Sequence, residues 1–134
     1  MLFRSDQIVC ENNAAVDLSG SISGQTTTGY WFSNGTGTFD KDSSNLILTY
    51  TPSQEDIDAG FTFVALESTE NGDCYIETDF VKITFSAAPE VSAGNDIIAC
   101  NDEIVNLSGD VVNFSNSGFW YTLGSGNFTP TASA

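Results

Sequence analysis

The side chains that could do chemistry here are carboxylates, three thiols and a run of aromatic rings. None of the 134 residues is histidine, so Ser–His–Asp and Cys–His nucleophilic sites are unavailable. There is no phosphate-binding glycine loop, and no carboxylate pair is marked as a general acid and base. The sequence is therefore not expected to encode an enzyme. Asp40-Lys41-Asp42 and Glu55-Asp56-Ile57-Asp58 could supply calcium oxygens through Asp40, Asp42, Asp56 and Asp58. Neither run has the spacing and glycine of an EF-hand, and turn and helix-cap roles also account for both. Calcium is the one cofactor these residues suggest. Cys10, Cys74 and Cys100 have no zinc-ligand spacing. Tyr30-Trp31-Phe32 is the remaining candidate. In a strand, Trp31 points one way and Tyr30 and Phe32 the other. Trp31 reads as core, and Tyr30 and Phe32 as a ligand surface on which a sugar could stack.

The charge balance narrows the partners. Eighteen acidic residues stand against three basic ones, for a net charge of −15. Phosphate recognition needs Lys and Arg, so nucleic acid is not expected, and an anionic membrane surface is disfavoured. An apolar fraction of 40%, with 10 Phe, 4 Tyr and 2 Trp, is too high for a disordered acidic tail. No stretch is long and apolar enough to span a bilayer. Residues 1–5 carry no motif and read as a leader or the remnant of a preceding unit.

An internal repeat organises the rest. Gly29-Tyr30-Trp31-Phe32-Ser33-Asn34-Gly35-Thr36-Gly37-Thr38-Phe39 returns as Gly118-Phe119-Trp120-Tyr121-Thr122-Leu123-Gly124-Ser125-Gly126-Asn127-Phe128, 89 positions on. Leu18-Ser19-Gly20 returns as Leu107-Ser108-Gly109 at the same offset, and Asp6…Cys10 as Asp96…Cys100 at an offset of 90. Repeats at a fixed period mark repeated structural units. Trp31 and Trp120, with Phe39 and Phe128, are then equivalent core aromatics.

Within the unit, short strands are expected at 14–18, 28–33, 36–39, 46–51, 61–66 and 81–85. Asn34-Gly35 reads as a two-residue hairpin turn between the second and third of these. Ser53 and Asp56 resemble a capping box for one helical turn that Gly60 ends. About seven short strands in some 85 residues is the pattern of an all-β, Ig-like sandwich. The organisation expected is a complete unit over 6–88, a linker at 89–94 and the N-terminal half of a second unit over 95–134. The repeat also suggests a Cys10–Cys74 disulfide, which leaves Cys100 unpaired in this chain; two reduced thiols are the alternative.

Asp-x-Ile/Val-x-Cys, Leu-Ser-Gly, Gly-x-Trp with Gly-x-Gly-x-Phe, and Leu48-Thr49-Tyr50-Thr51-Pro52-Ser53…Asp58-Ala59-Gly60 together resemble a known family. It is the tandem PKD-like or Ig-like repeat of giant adhesins of gliding bacteria with type IX secretion, the SprB-type adhesins. The resemblance covers 6–94 as one unit and 95–134 as part of another. It implies export to the bacterial cell surface and a place in a long stalk used for attachment or gliding. The implied partners are neighbouring repeats, a surface polysaccharide, or the secretion and motility machinery. The second reading is a non-catalytic accessory module of a secreted polysaccharide-degrading enzyme, a carbohydrate-binding or spacer domain.

Overall fold

The computed structural model describes residues 6–113 and 116–130. The chain divides into two compact units between Ser86 and Ala87. The first unit is all-β apart from one short helix and a single 3-10 turn. Its strands are β1 (Gln7–Cys10), β2 (Val16–Ser19), β3 (Gly29–Ser33), β4 (Thr38–Phe39), β5 (Ile47–Thr51), β6 (Phe61–Ser68) and β7 (Thr78–Ser86). The helix, α1 (Gln54–Ala59), lies between β5 and β6. One sheet has the order β1-β7-β6-β3 and the other β2-β5-β4. Among the described residues only β1 and β7, the terminal strands of the unit, pair in parallel.

The period-2 alternation of each strand decides what is buried. Val16, Leu18, Leu48 and Tyr50 from the three-stranded sheet meet Trp31, Val64, Leu66, Val81 and Ile83 from the four-stranded sheet in one cluster. Trp31 is buried as expected, and its indole N–H donates to the Leu46 carbonyl. Phe39 packs at the edge of the cluster, its ring centroid 5.3 Å from that of Tyr50. The helix starts where the sequence indicates. Ser53 and Asp56 form a capping box, and Gly60 closes the helix at φ +84°.

The Asn34-Gly35 hairpin does not form. β3 pairs with β6 and β4 pairs with β5, so the chain crosses from one sheet to the other at this point. Gly35 is not among the glycines with positive φ, which a type I′ turn requires. It is instead a point of close approach, where any side chain would collide with the Asp56 carboxylate.

The second unit is sparser. Residues 89–94 are not a bare linker, because Glu90–Ser92 forms β8 and pairs antiparallel with β9 (Asp110–Val112). The aromatic stretch 118–121 makes only an isolated bridge at Phe119. In the first unit the matching strand is held by β6. Ile97, Ile104, Val105, Leu107, Phe119 and Tyr121 face water. Trp120 and Phe128 are only half-buried, so they are not core residues on a par with Trp31. One detail does return. A β-carbon on Gly20 would lie 2.9 Å from Trp31 Cζ2, and one on Gly109 would lie 2.7 Å from Trp120 Cζ2. The glycine of Leu-Ser-Gly lies against the tryptophan ring in both units.

Truncation of Trp31 empties the middle of the core. Trp31→Ala should cost about 3–5 kcal/mol, and Trp120→Ala distinctly less. Urea denaturation of the two variants checks this, and equal losses would contradict the burial difference.

Candidate functional site: an aromatic sheet face

The outer face of the four-stranded sheet carries the candidate site. Alternation puts Thr62, Val64 and Leu66 of β6 inward and Phe61, Phe63, Ala65 and Glu67 outward. On β7, Val81 and Ile83 face the core, which turns Phe80, Lys82 and Thr84 outward. On β3, Trp31 points in, and Tyr30 and Phe32 point out, half-exposed. The register aligns these into rows: Tyr30–Glu67–Thr78, then Phe32–Ala65–Phe80, then Phe63–Lys82. Ala65 is buried although it lies on the outer face, flanked by Phe32 and Phe80 in its row.

The rings are held in specific attitudes. Tyr30 and Phe32 have centroids 5.9 Å apart and planes tilted by 40°. Phe61 and Phe63 meet edge-to-face at 5.8 Å, with the Lys82 ammonium 4.7 Å from the Phe61 centroid. The Tyr30 hydroxyl donates to Glu67 Oε1 at 2.8 Å, and Thr78 Oγ1 donates to Glu67 Oε2. The Glu67 hydrogen bond holds the Tyr30 hydroxyl above the ordinary phenol range. The face thus combines an apolar floor with a fixed polar edge. No local sequence signal marks Phe61, Phe63, Phe80 or Glu67 as part of this face. Both faces of β6 are apolar there, so alternation alone does not tell inside from outside.

The second unit carries a matching pair. Phe119 and Tyr121 have centroids 6.2 Å apart and planes tilted by 46°.

Behind the face, one carboxylate positions the crossover from β3 to β4. Asp56 is 5% exposed. Its Oδ1 accepts from the Thr36 amide at 2.9 Å. Its Oδ2 accepts from the Tyr50 hydroxyl at 2.7 Å, the Gly37 amide at 3.0 Å and the Ser53 amide at 3.2 Å. Burial pushes the Asp56 carboxyl up, but the Tyr50 hydroxyl and the three amides outweigh burial and bring it below the usual carboxylate range. Burial raises the Tyr50 phenol, and the Asp56 charge adds to this, so the hydroxyl stays protonated and donating. Ser33 completes the cluster by donating to the Tyr50 oxygen at 3.1 Å.

The four aspartates considered for calcium do not come together. Asp56 is committed to these donors. Asp58 accepts from Gln54 on the same helix, and Asp40 accepts from the Thr49 amide. Asp42 closes its turn by accepting from the Ser44 amide and hydroxyl, and the hydroxyl bond lowers its carboxyl from the ordinary value. Among the described residues no three acidic or thiol side chains form a metal-holding group.

The Cys10–Cys74 disulfide is also overturned. β1 runs parallel to β7, with Cys10 opposite Ser86 at the end of β7. Cys74 precedes Thr78 at the start of that nine-residue strand, in a loop tied back to Ser68 and Asn71. At about 3.3 Å per residue, the two lie at opposite ends of the sheet, far outside the roughly 7 Å Cα limit of a disulfide. Cys10, Cys74 and Cys100 are all free thiols. The repeat gave a rule for pairing, but topology sets the distance.

No protein-family model, curated protein or solved structure matches this chain.

The depressed Asp56 pKa sets the sign of a pH effect. Its stabilising contribution is fully present above the ordinary carboxylate pKa of 3.8 and is lost as pH falls through the lower folded-state value. Asp56→Asn should cost roughly 2–3 kcal/mol at neutral pH. The gap in melting temperature between wild type and variant should narrow below about pH 4. A gap that stays constant from pH 7 to pH 3 would contradict the assignment.

Proposed function

We propose that this chain is a stalk repeat of a secreted bacterial cell-surface adhesin involved in attachment or gliding. In this reading it holds one Ig-like, PKD-like sandwich joined head to tail to the first half of a second. Its constant partners are neighbouring repeats of the same polypeptide, its site is extracellular, and its role is non-catalytic.

The observation that carries the reading is the parallel pairing of the terminal strands. The chain enters at Gln7 beside Ile83 and leaves at Ser86 beside Cys10. Tension between the two ends therefore runs along the β1–β7 ladder and loads its hydrogen bonds together, in shear. An antiparallel terminal pair would open one bond at a time. Shear loading is what a segment that transmits force along a filament requires. The glycine–tryptophan contact that returns 89 positions on fits a tandem array. The outward aromatic pairs favour an adhesive role over a passive spacer, and they also suit the accessory-module reading.

Single-molecule pulling from both ends separates the two roles. The first unit should rupture in one event, releasing roughly 280 Å of contour for residues 7–86. Deletion of residues 6–10 should lower the rupture force clearly. Equal forces with and without β1 would contradict a force-transmitting role.

A further inference from the structure

Two outward aromatic pairs recur with the same spacing and tilt. Tyr30 and Phe32 lie at 5.9 Å and 40°, and Phe119 and Tyr121 at 6.2 Å and 46°. The residues exchange identity, Tyr-x-Phe becoming Phe-x-Tyr, yet the arrangement persists. Core packing does not account for the second pair, because Phe119 is 77% and Tyr121 75% exposed.

We infer that each pair is a subsite for an uncharged, hydroxyl-rich polysaccharide chain, with one sugar face stacked on each ring. Four observations select this ligand. A site present once in each unit matches a ligand that itself repeats, which is a polymer. Eighteen acidic residues against three basic ones repel acidic glycans and nucleic acid. An aromatic ring has a negative face that attracts the slightly positive C–H face of a sugar, and the Tyr30–Glu67 hydrogen bond sets polar partners for sugar hydroxyls beside it. Finally, rings tilted by 40° and 46° do not make the flat platform that a crystalline surface needs. They suit consecutive sugars of a single twisting chain. Phe61 and Phe63, edge-to-face at 79°, cannot both lie flat on one chain and belong to the floor.

This inference rests on the adhesive reading and names what the repeat would hold. Single pairs of rings bind weakly, but a polymer that meets many of them gains by effective concentration.

Affinity electrophoresis of the 134-residue chain tests it, in gels containing hydroxyethyl cellulose, galactomannan or xyloglucan, with alginate as the polyanion. At least one neutral polymer should retard the protein, and alginate should not. Phe119→Ala with Tyr121→Ala should weaken retardation about tenfold, two lost ring contacts of about threefold each. Its melting temperature should not change, since both rings are exposed. Tyr30→Ala with Phe32→Ala should weaken it similarly, and Tyr30→Phe should lose only the hydroxyl's share. The inference is overturned by absence of retardation in all three neutral gels, by retardation in alginate, or by a Phe119/Tyr121 variant that migrates as wild type does. None of these outcomes touches the pulling experiment, on which the stalk reading stands or falls separately.

Discussion

A single buried carboxylate holds this structure together where its two sheets exchange the chain. Asp56 accepts from the Tyr50 hydroxyl and from the amides of Thr36, Gly37 and Ser53. A buried charge without partners would be prohibitive, but this one is paired with dipoles on every side. The donors belong to three different constraints. Tyr50 is a fully buried core residue of β5, Ser53 opens the helix, and Thr36 and Gly37 lie on the crossover between sheets. Removing the carboxylate would leave all four donors facing an emptied site.

The glycines of Asn-Gly-Thr-Gly follow from this. A side chain at Gly35 would strike Asp56, and a β-carbon at Gly37 would lie 2.5 Å from the Tyr50 ring and from the Thr51 carbonyl oxygen. The loop can wrap the carboxylate only because both positions are bare. In the second unit the matching Gly124 and Gly126 meet nothing closer than 3.5 Å. The glycines are there, but among the described residues no acid and tyrosine pack against them as Asp56 and Tyr50 do in the first unit. The same crossover fixes the faces of β3. With the loop anchored, Trp31 must enter the core, and Tyr30 and Phe32 must stay on the outside.

Much of the first unit was legible in the sequence because local signals and global fold agree there. The strands expected at 46–51 and 81–85, the Ser53–Asp56 cap and the Gly60 stop all appear in the structure. The failures have a common cause, which is long-range contact overriding a local signal. Asn34-Gly35 has the residues of a tight turn, yet Gly35 serves an acid 21 positions away. In the sequence Asp56 reads as a helix cap or a calcium ligand. It does cap, but Tyr50 and the crossover amides are brought to it only by the fold. Cys10 and Cys74 follow the repeat but lie at opposite ends of β7. On β6 two apolar faces competed, and only its pairing with β3 through Trp31 and Leu66 settles which one is inside. Three residues of β8 are too short a run to distinguish from a linker.

The most direct measurement is amide hydrogen exchange by NMR at the Thr36 and Gly37 amides. Thr36 is a solvent-exposed loop residue, and its N–H donates to the Asp56 carboxylate. Both amides should exchange as slowly as those of the β3–β6 ladder, while Ser125 and Gly126, their counterparts without an acid, exchange at the rate of open loops. Fast exchange at Thr36 and Gly37 under conditions where Trp31 and Val64 stay protected would contradict the account, because the crossover would then hold without the carboxylate.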